Sequence, residues 1–158
     1  LKNNEINAII HPQALIHALV NYENGMSTAL LNKPDMEIPI STLFFKFDEG
    51  ANINKNFDIE NYPYLEFMPI DNNKYPAVEL GLQVMRTGGL APHVFNYLNE
   101  LLVDLFIKKQ INFIDIVKYN AINLDRIFAK NSNITNPKLI DIKNINNWID
   151  KNLYIRKK

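Results

Sequence analysis

The spacing of apolar residues changes once along this 158-residue chain, near Asp71, and that change separates two kinds of structure. Before it lie short extended stretches arranged around an Asn24-Gly25 pair. Asn-Gly tolerates positive φ at both central positions of a type I′ turn, so residues 9–31 are expected to form strand, turn and strand. In the first strand Leu15, His17 and Leu19 share one face, and Ile16, Ala18 and Val20 the other. Apolar residues on both faces predict a strand covered on both sides. A short helix fits Met36 to Phe47, with Pro39 confined to its first turn. Residues 48–61, polar and Asn-rich, are read as a connecting segment. Residues 64–68 are read as one more strand, ended by Pro69.

After Asp71 the period is helical. Pro76 suits a helix start, Val78, Leu82 and Met85 recur at i, i+4 and i+7, and Gly88-Gly89 supplies the stop. Pro92 opens a second helix striped by Val94, Phe95, Leu98, Leu101, Leu102, Leu105 and Phe106. Asn112 caps a third, with Asp115 in its first turn and Phe113, Val117, Ala121, Leu124 and Phe128 expected on one face. Beyond Pro137, Ile142, Ile145, Ile149 and Leu153 mark a fourth, with Trp148 beside them. The fold class is therefore α+β: a sheet-containing segment over residues 1–71 and a four-helix, bundle-like domain over 72–158.

Composition narrows the function. Lys+Arg and Asp+Glu balance at 17 each, so no net field favours nucleic acid or an anionic membrane. Cysteine is absent, which removes disulfides, thiolate nucleophiles and sulfur-ligated metals. No apolar run approaches the roughly 20 residues a membrane helix needs. Hydrophobic residues make up 47% of the chain, enough for small cores burying roughly 70% of the unfolded surface.

Motifs narrow it further. His11-Pro12-Gln13 is followed by His17, then Pro34-Asp35-Met36 with Pro39-Ile40, Tyr75-Pro76, Asn96-x-x-Asn99-Glu100 and Phe113-x-Asp115-Ile116. In this order and spacing the block resembles the C-terminal part of 1-deoxy-D-xylulose 5-phosphate reductoisomerase. That resemblance implies an NADP-dependent oxidoreductase and isomerase of the non-mevalonate route to isoprenoids. Such an enzyme rearranges and reduces a phosphorylated sugar to 2-C-methyl-D-erythritol 4-phosphate, with a divalent metal polarising the reacting oxygens. It also implies a homodimer, NADPH and Mg or Mn as cofactors, and a cytoplasmic location in a bacterium or a plastid-type organelle in a eukaryote. Residue 1 is Leu, which favours a piece of a longer chain.

Few residues here are candidates for the chemistry. The resemblance places Pro34 and Met36 on a wall facing a mobile lid over the substrate, and His17 near the active site, where it would orient a metal-binding carboxylate. From the residues alone, Pro34 shapes a turn, Met36 fills a core gap and His17 is a buried histidine bonded to a backbone carbonyl. Asp35 reads as a helix N-cap, His11 as structural, and His93 falls in a first helical turn with no evident partner. Asn96, Asn99 and Glu100 are expected to tie the helices together. Tyr97 and Leu98 stand where the family usually has small residues, so either wider packing or a changed partner for this face is expected.

Neither cofactor has a site in the sequence. Gly88-Gly89 is an isolated pair rather than a phosphate-binding loop, and Asp48-Glu49 is a solvated pair rather than a ligand set. The chain alone is therefore expected to bind neither NADPH nor metal. Two further readings stay open: a catalytically silent piece serving as a dimerisation or interaction module, and an unrelated α+β domain.

Overall fold

The computed structural model describes residues 6–44, 58–131 and 133–156. The chain divides into two compact units, Ile9–Ile70 on one side and Leu1–Ala8 with Asp71–Lys158 on the other. Among the described residues, 6–8 group with the helices and not with the hairpin. The end of the expected helix at Phe47 and most of the 48–61 connection, with Asp48-Glu49, lie outside the described residues.

In the first unit β1 (Ile16–Asn21) pairs antiparallel with β2 (Ser27–Leu31). The turn is not type I′. Gly25 N–H donates to Tyr22 O at 3.0 Å, and Gly25 alone in the turn has positive φ, at +85°. Asn24 instead uses its side chain, whose Oδ1 accepts from Met26 N at 3.0 Å. A longer loop with one left-handed glycine closes the hairpin, which leaves Asn24 free to make that bond.

Nor is β1 covered on both sides. Leu19 and Val20 are each 50% exposed, and Tyr22, Met26 and Leu30 are exposed too; among the described residues the two strands pair only with each other. Residues 64–68 form a single bridge, Ile10 with Met68, rather than a strand. The backbone there is spent on other partners: Glu66 O accepts from the His11 ring at 2.7 Å, and Glu66 N donates to Gln13 Oε1 at 3.2 Å. Helix α1 (Glu37–Phe44) follows the hairpin with Pro39 in its first turn, and a 3-10 turn spans Ile59–Asn61.

The second unit holds α2 (Pro76–Thr87), α3 (Ala91–Ile107), α4 (Phe113–Lys130) and α5 (Leu139–Asn152). Prolines sit in the first turns of α2 and α3, where no amide partner is lost. Asp115 accepts from Asn112 N at 3.0 Å and Asp141 from Lys138 N at 2.8 Å, satisfying orphan donors at the starts of α4 and α5. The stripe of α3 is buried as its spacing predicts: Val94, Leu98 and Leu102 are fully enclosed, and α3 packs against α2, α4 and α5. Each such leucine contributes about 1.5–3 kcal/mol of burial.

Two helices turn differently from the expected faces. In α4 the buried face is Ile116, Tyr119, Asn120, Asn123 and Ile127, joined by Leu124, whereas Phe113 is 74% exposed. Val117 and Ala121 instead line an open groove beside Leu80 and Pro76. In α2 the core takes Val84, with Leu80 against it, while Val78, Leu82 and Met85 border a second groove with Ile6 and Ala8. Buried asparagines explain the rotation of α4, because they occupy positions that an apolar count leaves out. Asn123 donates to Tyr154 O at 2.9 Å and accepts from Tyr154 N at 2.8 Å, pinning the segment after α5. Asn120 donates to Phe95 O at 3.1 Å.

Asn96 and Glu100 do not tie helices together. They bond to each other at 3.1 Å along the exposed face of α3. The ties come from neighbours: His93 Nε2 with Asn146 Oδ1 at 2.7 Å, and Tyr97 OH donating to Asp150 Oδ1 at 2.8 Å. Leu98 is fully buried, and Tyr97 lies over the core with its hydroxyl bonded to Asp150. The Asp150 hydrogen bond, then burial, then repulsion by the carboxylates of Asp150 and Glu100 push the Tyr97 phenol above its ordinary 10.0. The folded value lies above the unfolded one, so this contact stabilises fully below about pH 10 and is lost as pH rises through the raised value. Tyrosinate absorbance should show a late-titrating group that disappears in Tyr97→Phe and moves back toward the ordinary range in Asp150→Asn.

The Gly88-Gly89 pair is a structural turn, with φ of +64° and +58°. A Cβ on Gly89 would run into the Ile134 carbonyl and lie 2.7 Å from Asn133 Oδ1. That closeness is what lets Asn133 work: Oδ1 accepts from Leu90 N at 2.9 Å, and Nδ2 donates to Thr87 O and Gly88 O at 3.3 and 3.2 Å. One side chain thus caps the end of α2 and the start of α3. Asn133→Ala should lower stability by about 1–3 kcal/mol in denaturant titration, since it strands these groups. A change within error would show that water replaces the amide without loss.

Candidate functional site

The candidate residues cluster at the base of the hairpin. Ile16 pairs with Leu31 and Ala18 with Leu30, so β1 carries one extra residue at His17. Such a bulge breaks the alternation of faces and re-aims the side chain it contains. His17 therefore does not share a regular face with Leu15 and Leu19. Its Nε2 is buried and has no hydrogen-bond partner among the described residues, which disagrees with a carbonyl-satisfied core histidine. His11 is held from one side: its Nδ1 donates to Glu66 O at 2.7 Å and its ring stacks on Phe67 at 4.8 Å, although its Nε2 too is buried without a partner there. That anchoring makes His11 structural.

Beyond Leu31 the chain turns sharply at Pro34, where Asp35 N donates to Lys33 O at 2.6 Å. Asp35 Oδ1 accepts from Glu37 N at 2.9 Å, so Asp35 caps α1 as its position predicts. Pro34 is exposed and Met36 is 59% exposed. Met36 therefore fills no core gap in this chain, and the core reading of that residue is corrected. The residue that sequence reading missed is Asn32, only 7% exposed, which lies between Leu31 and this turn. A polar residue directly before an exposed Pro turn was the available signal. The bulge had none.

The chemistry available here is limited. Among the described residues no group of three His, Asp or Glu side chains is placed to hold a metal ion. The described glycines serve the hairpin turn, α2 and the α2–α3 turn, and none builds a phosphate loop. The larger groove, about 610 Å³, lies within the helical unit between α2 and α4 and contains none of the candidate residues.

The class these elements define is α+β: a two-stranded hairpin unit with an exposed Pro-Asp-Met turn, and a unit of four helices. A profile of the DXP reductoisomerase C-terminal domain matches residues 31–152, and the chain belongs to that family. 1-Deoxy-D-xylulose 5-phosphate reductoisomerase of Ehrlichia ruminantium (strain Gardel) is 33% identical over 129 residues, covering 80% of this chain and 33% of the relative. The structure of the enzyme from Zymomonas mobilis in complex with NADPH superposes with a TM-score of 0.74 at 30% identity, over 89% of this chain and 36% of that one. A DOX-P reductoisomerase in complex with magnesium gives 0.72 at 25% identity, over 90% and 37%. The chain spans about a third of the length of these relatives.

Exposure separates the two kinds of apolar residue in this unit. Leu15 is fully buried, so Leu15→Ala should cost about 2–5 kcal/mol of stability. Met36→Ala should change stability by no more than about 0.5 kcal/mol, as exposed substitutions do. Denaturant midpoints of the two variants check this, and equal losses would return Met36 to the core.

Proposed function

We propose that this chain is the C-terminal portion of a 1-deoxy-D-xylulose 5-phosphate reductoisomerase. In the full-length protein the reaction is an NADPH- and divalent-metal-dependent rearrangement and reduction to 2-C-methyl-D-erythritol 4-phosphate, in non-mevalonate isoprenoid synthesis. The observation that carries the reading is that the family match begins at the hairpin base and includes the Pro34-Asp35-Met36 turn, whose apolar side chains are held outward. NADPH and magnesium or manganese belong to the part of the protein that precedes this chain, and by itself the chain binds neither.

The share of the work done here is positional. Pro34 and Met36 present a dry apolar surface to a closing lid, which excludes water from the phosphorylated sugar. His17, set in a bulge of β1 and with no partner for its Nε2 among the described residues, fixes the orientation of a metal-binding carboxylate. The exposed apolar hairpin suits a contact between two copies, Leu19, Val20 and Leu30 being the residues it would bury, and the working form is a homodimer. No nucleic-acid or membrane partner is proposed: the charges balance, and no described helix is long and apolar enough to cross a membrane.

The test is kinetic and uses the full-length enzyme. His17→Gln should raise the metal or substrate requirement roughly 10–100-fold while leaving NADPH affinity alone. Unchanged kinetics at an unchanged melting temperature would make His17 a bystander, and lost stability alone would make it a core residue. Saturable heat on titrating the isolated chain with NADPH or Mg²⁺ would show that a site has been misplaced. Sedimentation of the full enzyme as a monomer would remove the dimer.

A further inference from the structure

We propose that Asn32 is a positioning residue for substrate closure, acting through the Pro34–Met36 turn. This rests on the reading of that turn as the wall that meets the lid. The geometry forms a short chain of anchors. Leu15 is fully buried, and its carbonyl accepts from Asn32 N at 3.1 Å, one residue beyond the Ile16–Leu31 pair. The Asn32 side chain, itself 93% enclosed, donates from Nδ2 to Lys33 O at 2.6 Å and reaches Asp35 O at 3.5 Å.

Lys33 O is also the acceptor of the tight turn over Pro34, bonded to Asp35 N at 2.6 Å. Asn32 therefore grips the turn from inside by both of its flanking carbonyls, while Pro34 and Met36 face outward. A three-residue turn has little backbone hydrogen bonding of its own, so a buried amide spanning it removes alternatives that the exposed side chains would otherwise sample. Asn32 touches neither substrate nor cofactor in this scheme. It fixes where the apolar contacts stand before the lid arrives.

In the full-length enzyme, Asn32→Leu keeps the branched side-chain skeleton and removes both donations. It should raise the substrate KM about tenfold, the effect of losing roughly one well-made buried hydrogen bond. The kcat should stay within about twofold and the KM for NADPH should not move. Because both residues act through one contact, Asn32→Leu combined with Met36→Ala should be no worse than Met36→Ala alone. If the leucine variant does not fold, Asn32→Ala, smaller and also without a donor, is measured in the same way. An unchanged substrate KM in a folded Asn32 variant, beside a raised one in Met36→Ala, overturns the role of Asn32. So does an equal rise in both KM values, or a fully multiplicative double variant. An unchanged substrate KM in Met36→Ala instead overturns the wall itself.

Discussion

Burial of one face of α3 is the constraint on which the helical unit depends. Val94, Leu98 and Leu102 are fully enclosed, and their helix packs against each of the other three. Isolated helices of this length are marginal in water, so the remaining helices are stable because α3 gives their apolar faces somewhere to go. Two consequences follow. Leu98 can stand where smaller residues are usual because it points into this core, and Tyr97 beside it can lie flat with its hydroxyl directed to Asp150.

Around that apolar frame the connections are made by amides. Asn133 caps two helices, Asn123 holds the backbone of Tyr154, and Asn120 reaches Phe95 across to α3. A buried polar group is costly unless bonded, so each of these specifies a register as well as a contact. The hairpin unit uses the same device at Asn32. There the fixed backbone does not end in a core; it ends in an exposed proline and methionine.

The hairpin itself shows apolar side chains left in solvent. A stand-alone domain rarely keeps Leu19, Val20, Tyr22, Met26 and Leu30 exposed on one small element.

Local signals settled much of this without coordinates. The prolines and paired glycines set the limits of α2 and α3, the Asn112–Asp115 spacing set the start of α4, and the motif order from His11 to Ile116 identified the family and the candidates His17, Pro34 and Met36. These are short-range effects of backbone geometry and capping, or an order of residues, and both are written in the chain. What the sequence left open depended on partners distant along it. The face of α4 was decided by Asn120 and Asn123 bonding to α3 and to the segment after α5, which no apolar periodicity records. The bulge at His17 arose from the register between two strands, and the role of Asn32 from a carbonyl seventeen positions away. Strand register and long-range hydrogen bonds exist only once the chain has closed on itself, so only the tertiary structure could decide them.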